Sequence, residues 1–333
     1  MSRADEIFKE MCKDIIENGF SSEGYEVRPR WEDGTPAHTI KKFGVVNRYD
    51  LSKEFPALTL RKTFVKSATE EMLWIWQKKS NNIHDMKSHV WDEWADENGS
   101  IGKAYGYQQA RYYPYKGITR EGLIKAFPNL IEMLWINDAT GVTIYGYPYD
   151  PGDKEYESGN KVKNIIAVDD GFGFVKMSQI DKAIYDLVNN PLSRRILVTM
   201  WIPEDLNEMA LEPCAYSMTF NVTGDRLNGI LNQRSQDVLA ANNWNVVQYS
   251  MLLMMIAQVT GYKAGELIHV IADAHIYDRH VPIIQELISR PSYPAPTVTL
   301  NPDVKNFYQF TPDDITIEYH GVGEQIKNIP IAI

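Results

Sequence analysis

Apolar positions along the chain follow two periods, and the points where one gives way to the other divide it into elements. Spacings of three and four predict helices over 4–18, 66–79 (KSATEEMLWIWQKK), 120–135, 178–189, 245–260 and 281–289. Alternation, or short β-branched runs between turn residues, predicts strands over 195–201 (RILVTMW), 215–222, 226–233, 266–272 (ELIHVIA), 296–300 and 315–319. The two kinds are mixed without a strict βαβα order. That pattern predicts an α+β fold, with helices layered on a large, mostly antiparallel or mixed β-sheet. Residues 112–177 differ in character: YYPYKG, YGYPYDPGDKEYESGNK and DDGFGF are rich in Tyr, Gly, Pro and Asp. They read as an inserted lobe in a single domain spanning 1–333. The longest apolar run, VVQYSMLLMMIAQVTG (246–261), is shorter than the roughly 20 residues a spanning helix needs, and it carries Gln248 and Gln258. It reads as a core helix stopped by Gly261.

Composition narrows the function classes. The 333 residues are 44% apolar with a formal charge of −10, and the pI is near 5.3. A protein whose main task is gripping nucleic acid carries the opposite balance, although a local basic pocket for a small anion remains compatible. Cys12 and Cys214 are the only cysteines, too few for a disulfide framework and outside any CxxC, so a reducing cytoplasm is expected. The N-terminal stretch reads as an acidic amphipathic helix without the apolar run of a signal peptide. No membrane contact is expected.

The segment CAYSMTFNVTGDRLNGILNQRSQD (214–237) concentrates the chemistry. Cys214 follows a proline at the head of a strand, where it is either a buried filler or a nucleophile. VTGDR is a hairpin turn, read with Gly224 in a three-residue loop. If Val222 pairs with Arg226, Cys214 falls opposite Arg234, and facing residues on antiparallel strands lie roughly 5 Å apart. The guanidinium would then lower the thiol pKa and also serve a phosphate. Arg194 and Arg195 stand in tandem at a strand start, either a solvated pair or part of that anion site. In ADAHIYDRH, His275 and Tyr277 point to one side of an extended chain and suit a sugar hydroxyl. The added His280 does not make a zinc pattern, and no metal is expected.

One of Glu70 and Glu71 must approach the core from a helix apolar on most sides, and a buried carboxylate can move protons. Trp91, Trp94, Tyr105 and Tyr107 cluster in HVWDEWADENGSIGKAYGYQ, as core packing or as walls for a flat heteroaromatic ligand. In LAANNWNVVQY, Asn242, Asn243 and Asn245 open the core helix. One of them can cap it, while a buried amide at Asn245 can both donate to and accept from a pyrimidine edge.

Taken together, PC at 213–214, QRSQD at 233–237, WNVVQYSMLLMMIAQVTG at 244–261, DAHIYDRH at 273–280, WDEWADENG at 91–99 and the closing IPIAI resemble the thymidylate synthase family. The resemblance covers nearly the whole chain outside 112–177. It implies a sheet-to-sheet homodimer that converts deoxyuridylate to thymidylate with 5,10-methylenetetrahydrofolate as co-substrate. It implies Cys214 as the nucleophile on uracil C6, Glu71 with Tyr105 in proton relay, and Asn245 reading the base. Arg28, Arg234 and Ser235, with Arg194 and Arg195 from the other subunit, would hold the phosphate, and His275 with Tyr277 the deoxyribose. Arg30 competes with Arg28. Trp91, Trp94, Asp237, Ala241, Trp244, Ala332 and Ile333 would line or close the folate site.

Three departures from the family pattern touch four positions: Ala215 where many members have His, Ala241 for the usual Gly, and Asn243-Trp244 for Pro-Phe. An Ala at 241 requires only a negative φ. Within the family the alternative is a pyrimidine-nucleotide hydroxymethylase, and outside enzymes a nucleotide- or RNA-binding relative.

Overall fold

The computed structural model describes residues 2–137, 140–149, 154 and 162–332. The first half of the chain runs α1 (Arg3–Asn18), β1 (Phe20–Ser21), β2 (Thr39–Asp50), α2 (Val65–Trp76), α3 (Gly106–Ala110), β3 (Tyr113–Tyr115), α4 (Arg120–Ala126) and β4 (Ile131–Asn137). Next come β5 (Thr140–Pro148), β6 (Val162–Asp169), β7 (Val175–Met177), α5 (Gln179–Asn189), β8 (Leu197–Thr199), β9 (Ala215–Thr223) and β10 (Arg226–Asp237). The chain ends with α6 (Asn242–Thr260), β11 (Lys263–Tyr277), α7 (Val281–Ser289), β12 (Thr297–Leu300) and β13 (Ile315–Glu318).

The main sheet has the order β1-β2-β11-β10-β9-β8. Only β10 and β11 run parallel; the other pairs are antiparallel. A parallel pair needs a long crossover, and α6 supplies it. The fold is therefore α+β on a mixed sheet, as the pattern predicts. Leu227 and Leu231 on β10, with Leu267 and Ile271 on β11, bury one sheet face. The α6 helix is apolar on nearly all sides and ends at Gly261, whose φ of +80° carries the left-handed cap that a side chain disfavours. On the opposite sheet face, Leu197 stands in register with Thr219, Ile230 and Ile268. Leu197, Ile230 and Val46 are exposed there, an apolar surface turned to solvent.

A second, antiparallel sheet of order β3-β7-β6-β5-β4 forms within 113–177. The helix expected over 120–135 is corrected here. Pro128 and Asn129 stop it, Asn129 at φ +66°, and Ile131–Asn137 continues as a strand. Tyr147, Ile166 and Met177 bury against the core. The long strand β2 was not anticipated. Most of its residues are partly exposed, so apolar alternation is weak there.

Candidate active site

The β9–β10 hairpin turns on two residues, with Thr223 opposite Arg226. The expected pairing of Val222 with Arg226 is therefore wrong by one residue. Gly224, at φ +61°, sits at the first central position of a tight primed turn rather than in a three-residue loop. A bulge then cancels the slip. Asn232 faces Ser217 but Gln233 faces Ala215, leaving Tyr216 as the extra residue. Beyond the bulge, the Arg234 N–H donates to the Cys214 carbonyl at 2.9 Å.

The Arg234 side chain wraps the segment before the thiol. Its Nε donates to the Pro213 carbonyl at 3.1 Å and a terminal nitrogen to the Glu212 carbonyl at 2.6 Å. The plane lies 5.9 Å from the Trp201 ring. The expected lowering of the Cys214 pKa is not found. Burial pushes the thiol up, Arg234 pulls it down, and burial prevails.

From Cys214 a circuit of contacts runs through the neighbouring elements. Its N–H donates to the Tyr105 hydroxyl at 3.1 Å. Tyr105 takes φ +43° and ψ −98°, a conformation costly for a residue with a Cβ, which its surroundings must enforce. Its ring meets Trp91 edge-on at 5.2 Å, and Trp94 lies 5.7 Å from Trp91. The Trp91 indole donates to Glu71 Oε1 at 2.9 Å and the Trp244 indole to Oε2 at 2.5 Å. Of the two candidate glutamates Glu71 is the buried one, while Glu70 accepts from the Lys87 backbone near the surface. Burial raises the Glu71 pKa against the pull of the Trp244 and Trp91 hydrogen bonds. Burial also keeps the Tyr105 phenol protonated.

Trp244 leads along α6 to the three asparagines, which separate clearly. Asn243 is a stitch: its oxygen accepts from the Leu58 N–H at 3.0 Å and from the Thr63 hydroxyl, and its nitrogen donates to the Pro56 carbonyl. Asn242 is buried. Neither caps the helix; Ala241 holds that position at φ −114° without a side-chain bond, so the extra methyl is unstrained. Asn245 is half-buried, accepting from Gln233 Nε2 and donating to Gln248 Oε1, both at 3.1 Å. Gln233 precedes Arg234 and closes the circuit.

A second wall comes from the end of β11. His275 and Tyr277 meet edge to face at 5.1 Å. Asp273 accepts from His275 Nδ1 at 2.9 Å and Lys41 Nζ at 2.8 Å. Asp237, in register with His275, accepts from the Leu239 and Ala240 N–H groups at 3.0 Å each. Burial pushes its carboxyl up, but the His280 ring 3.6 Å away and the Ala240 N–H hold it low. His280 Nε2 donates to the Pro330 carbonyl at 2.8 Å, fixing the tail beside this wall. Ala332 is half-buried, and Ile333 lies outside the described residues.

Arg28, Arg30, Arg194 and Arg195 are exposed. Their guanidinium groups form no hydrogen bond or ion pair with another described residue. The Arg28 charge lowers the Tyr277 phenol against the larger effect of burial. Arg194 and Arg195 precede the edge strand β8. Ser235 offers its carbonyl to Gln233 at 3.0 Å. The sequence reading passed over Gln233, His269 and His280 as site neighbours, and took Gln248 only as a polar interruption. The available signal was a polar residue where alternation or helical spacing calls for an apolar one. Among the described residues no cluster of three His, Cys, Asp or Glu side chains fits a metal ion, and no helix is long and apolar enough to cross a membrane.

A thiol beside a guanidinium, a buried carboxylate and an oriented amide linked in one circuit are the equipment of an enzyme of covalent nucleophilic catalysis. Comparison with known proteins makes this particular. A family model described as thymidylate synthase matches residues 6–332. A thymidylate synthase of Bacillus licheniformis is 37% identical over 330 residues, covering 98% of each chain. Thymidylate synthase 1 of Bacillus subtilis is 35% identical over the same share. The solved structure of the thermostable thymidylate synthase A from Bacillus subtilis superposes with a TM-score of 0.76, at 33% identity and 99% coverage of both chains. The chain belongs to the thymidylate synthase family.

Proposed function

We propose that the protein is a cytoplasmic homodimer that converts deoxyuridylate to thymidylate, with 5,10-methylenetetrahydrofolate as co-substrate and dihydrofolate as second product. The observation that carries this reading is the closed circuit from Cys214 through Tyr105, Trp91, Glu71, Trp244, Asn245 and Gln233. It brings a nucleophile, a proton carrier and a base-reading amide together.

Cys214 attacks uracil C6, and the electron pair moves onto C5 and O4. Arg234 assists by drawing the thiol toward thiolate and by meeting the phosphate, with Arg28, Ser235 and the other subunit's Arg194 and Arg195. The exposed apolar sheet face, with Leu197 and Ile230, supports a sheet-to-sheet dimer in which these arginines cross over. Asn245 reads N3–H and O4, while His275 and Tyr277 meet the deoxyribose. Tyr105 and Glu71 take up and pass the C5 proton; Glu71 suits this because burial raises its proton affinity. The folate supplies one carbon and then a hydride, so the nucleotide gains a methyl group and the folate is oxidised by two electrons. These electrons balance without a metal. Trp91, Trp94, Asp237, Ala241, Trp244 and Ala332 line the folate site, with Ile333 closing it and excluding water. Residues 112–177 are an insertion in the single domain. The scheme needs neither nucleic acid nor membrane.

The test is a covalent adduct. Incubation with 5-fluorodeoxyuridylate and methylenetetrahydrofolate, followed by digestion and mass spectrometry, should find both ligands on the Cys214 peptide. An adduct elsewhere, or none despite ligand binding, contradicts the assignment.

A further inference from the structure

Asn245 belongs to a longer run of hydrogen bonds that crosses β11, β10 and α6. His269 Nε2 lies 2.7 Å from Gln233 Oε1. Gln233 Nε2 lies 3.0 Å from the Ser235 carbonyl and 3.1 Å from Asn245 Oδ1. Asn245 Nδ2 lies 3.1 Å from Gln248 Oε1. The sense of the run follows from one fixed point. A backbone carbonyl only accepts, so the end of Gln233 facing Ser235 is its NH2 group. The Gln233 oxygen then faces His269, which must carry its proton on Nε2. The second Gln233 N–H points to Asn245, whose facing atom must be oxygen.

His269 is fully buried, on the β11 face that otherwise carries Leu267 and Ile271. Burial pushes its pKa down to about 3, so the ring is neutral. Its Nδ1 has no hydrogen-bond partner. A half-satisfied imidazole is a poor core residue, and an apolar side chain there would avoid the cost. What His269 alone provides is the bond from Nε2–H to Gln233.

That bond matters because an amide turned through a half-circle exchanges donor for acceptor. Held as observed, Asn245 has an Oδ1 lone pair and an N–H to spare, which match N3–H and O4 of uracil. Turned over, it matches N3 and the exocyclic amine of cytosine. A freely turning asparagine would accept both bases.

We infer that His269 is a positioning residue for base selection: through Gln233 it holds the Asn245 amide in the sense that accepts uracil and rejects cytosine. The inference rests on the proposed contact between Asn245 and the base. Ser235 and His269 grip opposite ends of Gln233, so losing His269 leaves a buried oxygen unsatisfied and loosens the amide.

The test compares kcat/KM for deoxyuridylate with the inhibition constant of deoxycytidylate in the full-length protein. His269→Phe fills the space without a donor and should cut discrimination by about ten- to a hundredfold. His269→Gln restores a donor and should retain most of it. Unchanged discrimination in His269→Phe, with altered discrimination in Asn245→Asp, overturns the role of His269 and leaves that of Asn245 standing. Unchanged discrimination in Asn245→Asp overturns both. Should His269→Phe fail to fold, nitrogen NMR of the unmodified protein decides: a proton on Nε2 with a bare Nδ1 supports the inference, and the opposite tautomer overturns it.

Discussion

The indole of Trp244 donates to Oε2 of Glu71 at 2.5 Å, a bond that a phenylalanine at this position could not make. With Trp91 on Oε1, both oxygens of a buried carboxylate are held by indoles. Each bond favours the ionised form, while burial favours the protonated one and prevails. Trp244→Phe removes one of the opposing bonds, so the Glu71 pKa should rise further. The acid limb of the kcat profile should move to higher pH. A profile that stays in place would show that Glu71 does not set that limb.

Cys214→Ser should lower turnover by about a thousandfold or more while deoxyuridylate still binds, because the hydroxyl keeps the shape without the nucleophilicity. Alkylation of Cys214 should titrate above the ordinary thiol range, since burial outweighs Arg234. Arg234→Ala should move that titration higher still and weaken nucleotide binding. An unmoved alkylation curve would separate the guanidinium from the thiol.

The hairpin that joins these two residues also shows what the sequence makes legible. Strand identity follows from alternation on β9 and β10, and Gly224 marks the turn. Register does not follow, because Gly224 fits a two-residue turn as well as a three-residue loop. Two features cancel: the turn shifts the pairing by one, and the Tyr216 bulge shifts it back. Asn245 was legible as a polar residue at the edge of an apolar element, whereas the pattern left Glu70 and Glu71 both open and only burial separates them. Gln233 and His269 were not legible, because their meaning lies in a hydrogen-bond run between strands distant in sequence. Likewise β4 was missed where IEMLW fits either period, and only the Pro128–Asn129 break decides.

Arg194 and Arg195 test the dimer. If they serve the neighbouring subunit's site, Arg194→Ala/Arg195→Ala and Cys214→Ser chains should each be inactive alone. Mixed and refolded together, they should recover activity through hybrid dimers with one intact site. Absence of recovery, with subunit exchange demonstrated, would place each pocket within one chain.

His280 donates to the Pro330 carbonyl and lies 3.6 Å from Asp237, so it links the tail to the end of β10. Burial lowers its pKa, but Asp237, Pro330 and Asp278 outweigh burial and leave it raised above 6.5. A raised histidine stabilises its fold most below its unfolded pKa and loses that contribution as pH rises through its folded pKa. Protection of the tail from carboxypeptidase should therefore weaken as pH climbs through the neutral range. His280→Phe keeps an aromatic ring beside Trp31 and Tyr277 but cannot donate. It should lose protection at every pH and raise the KM for folate more than it changes deoxyuridylate binding. Equal protection in both proteins would show that the tail is held elsewhere.

The central claim is that the Cys214-bound nucleotide ends by accepting hydride rather than water. The direct measurement is the mass of the product nucleotide, taken together with the absorbance rise of dihydrofolate in the same reaction. Thymidylate and dihydrofolate in equal amounts are the expected products. A hydroxymethylated nucleotide accompanied by tetrahydrofolate would contradict it.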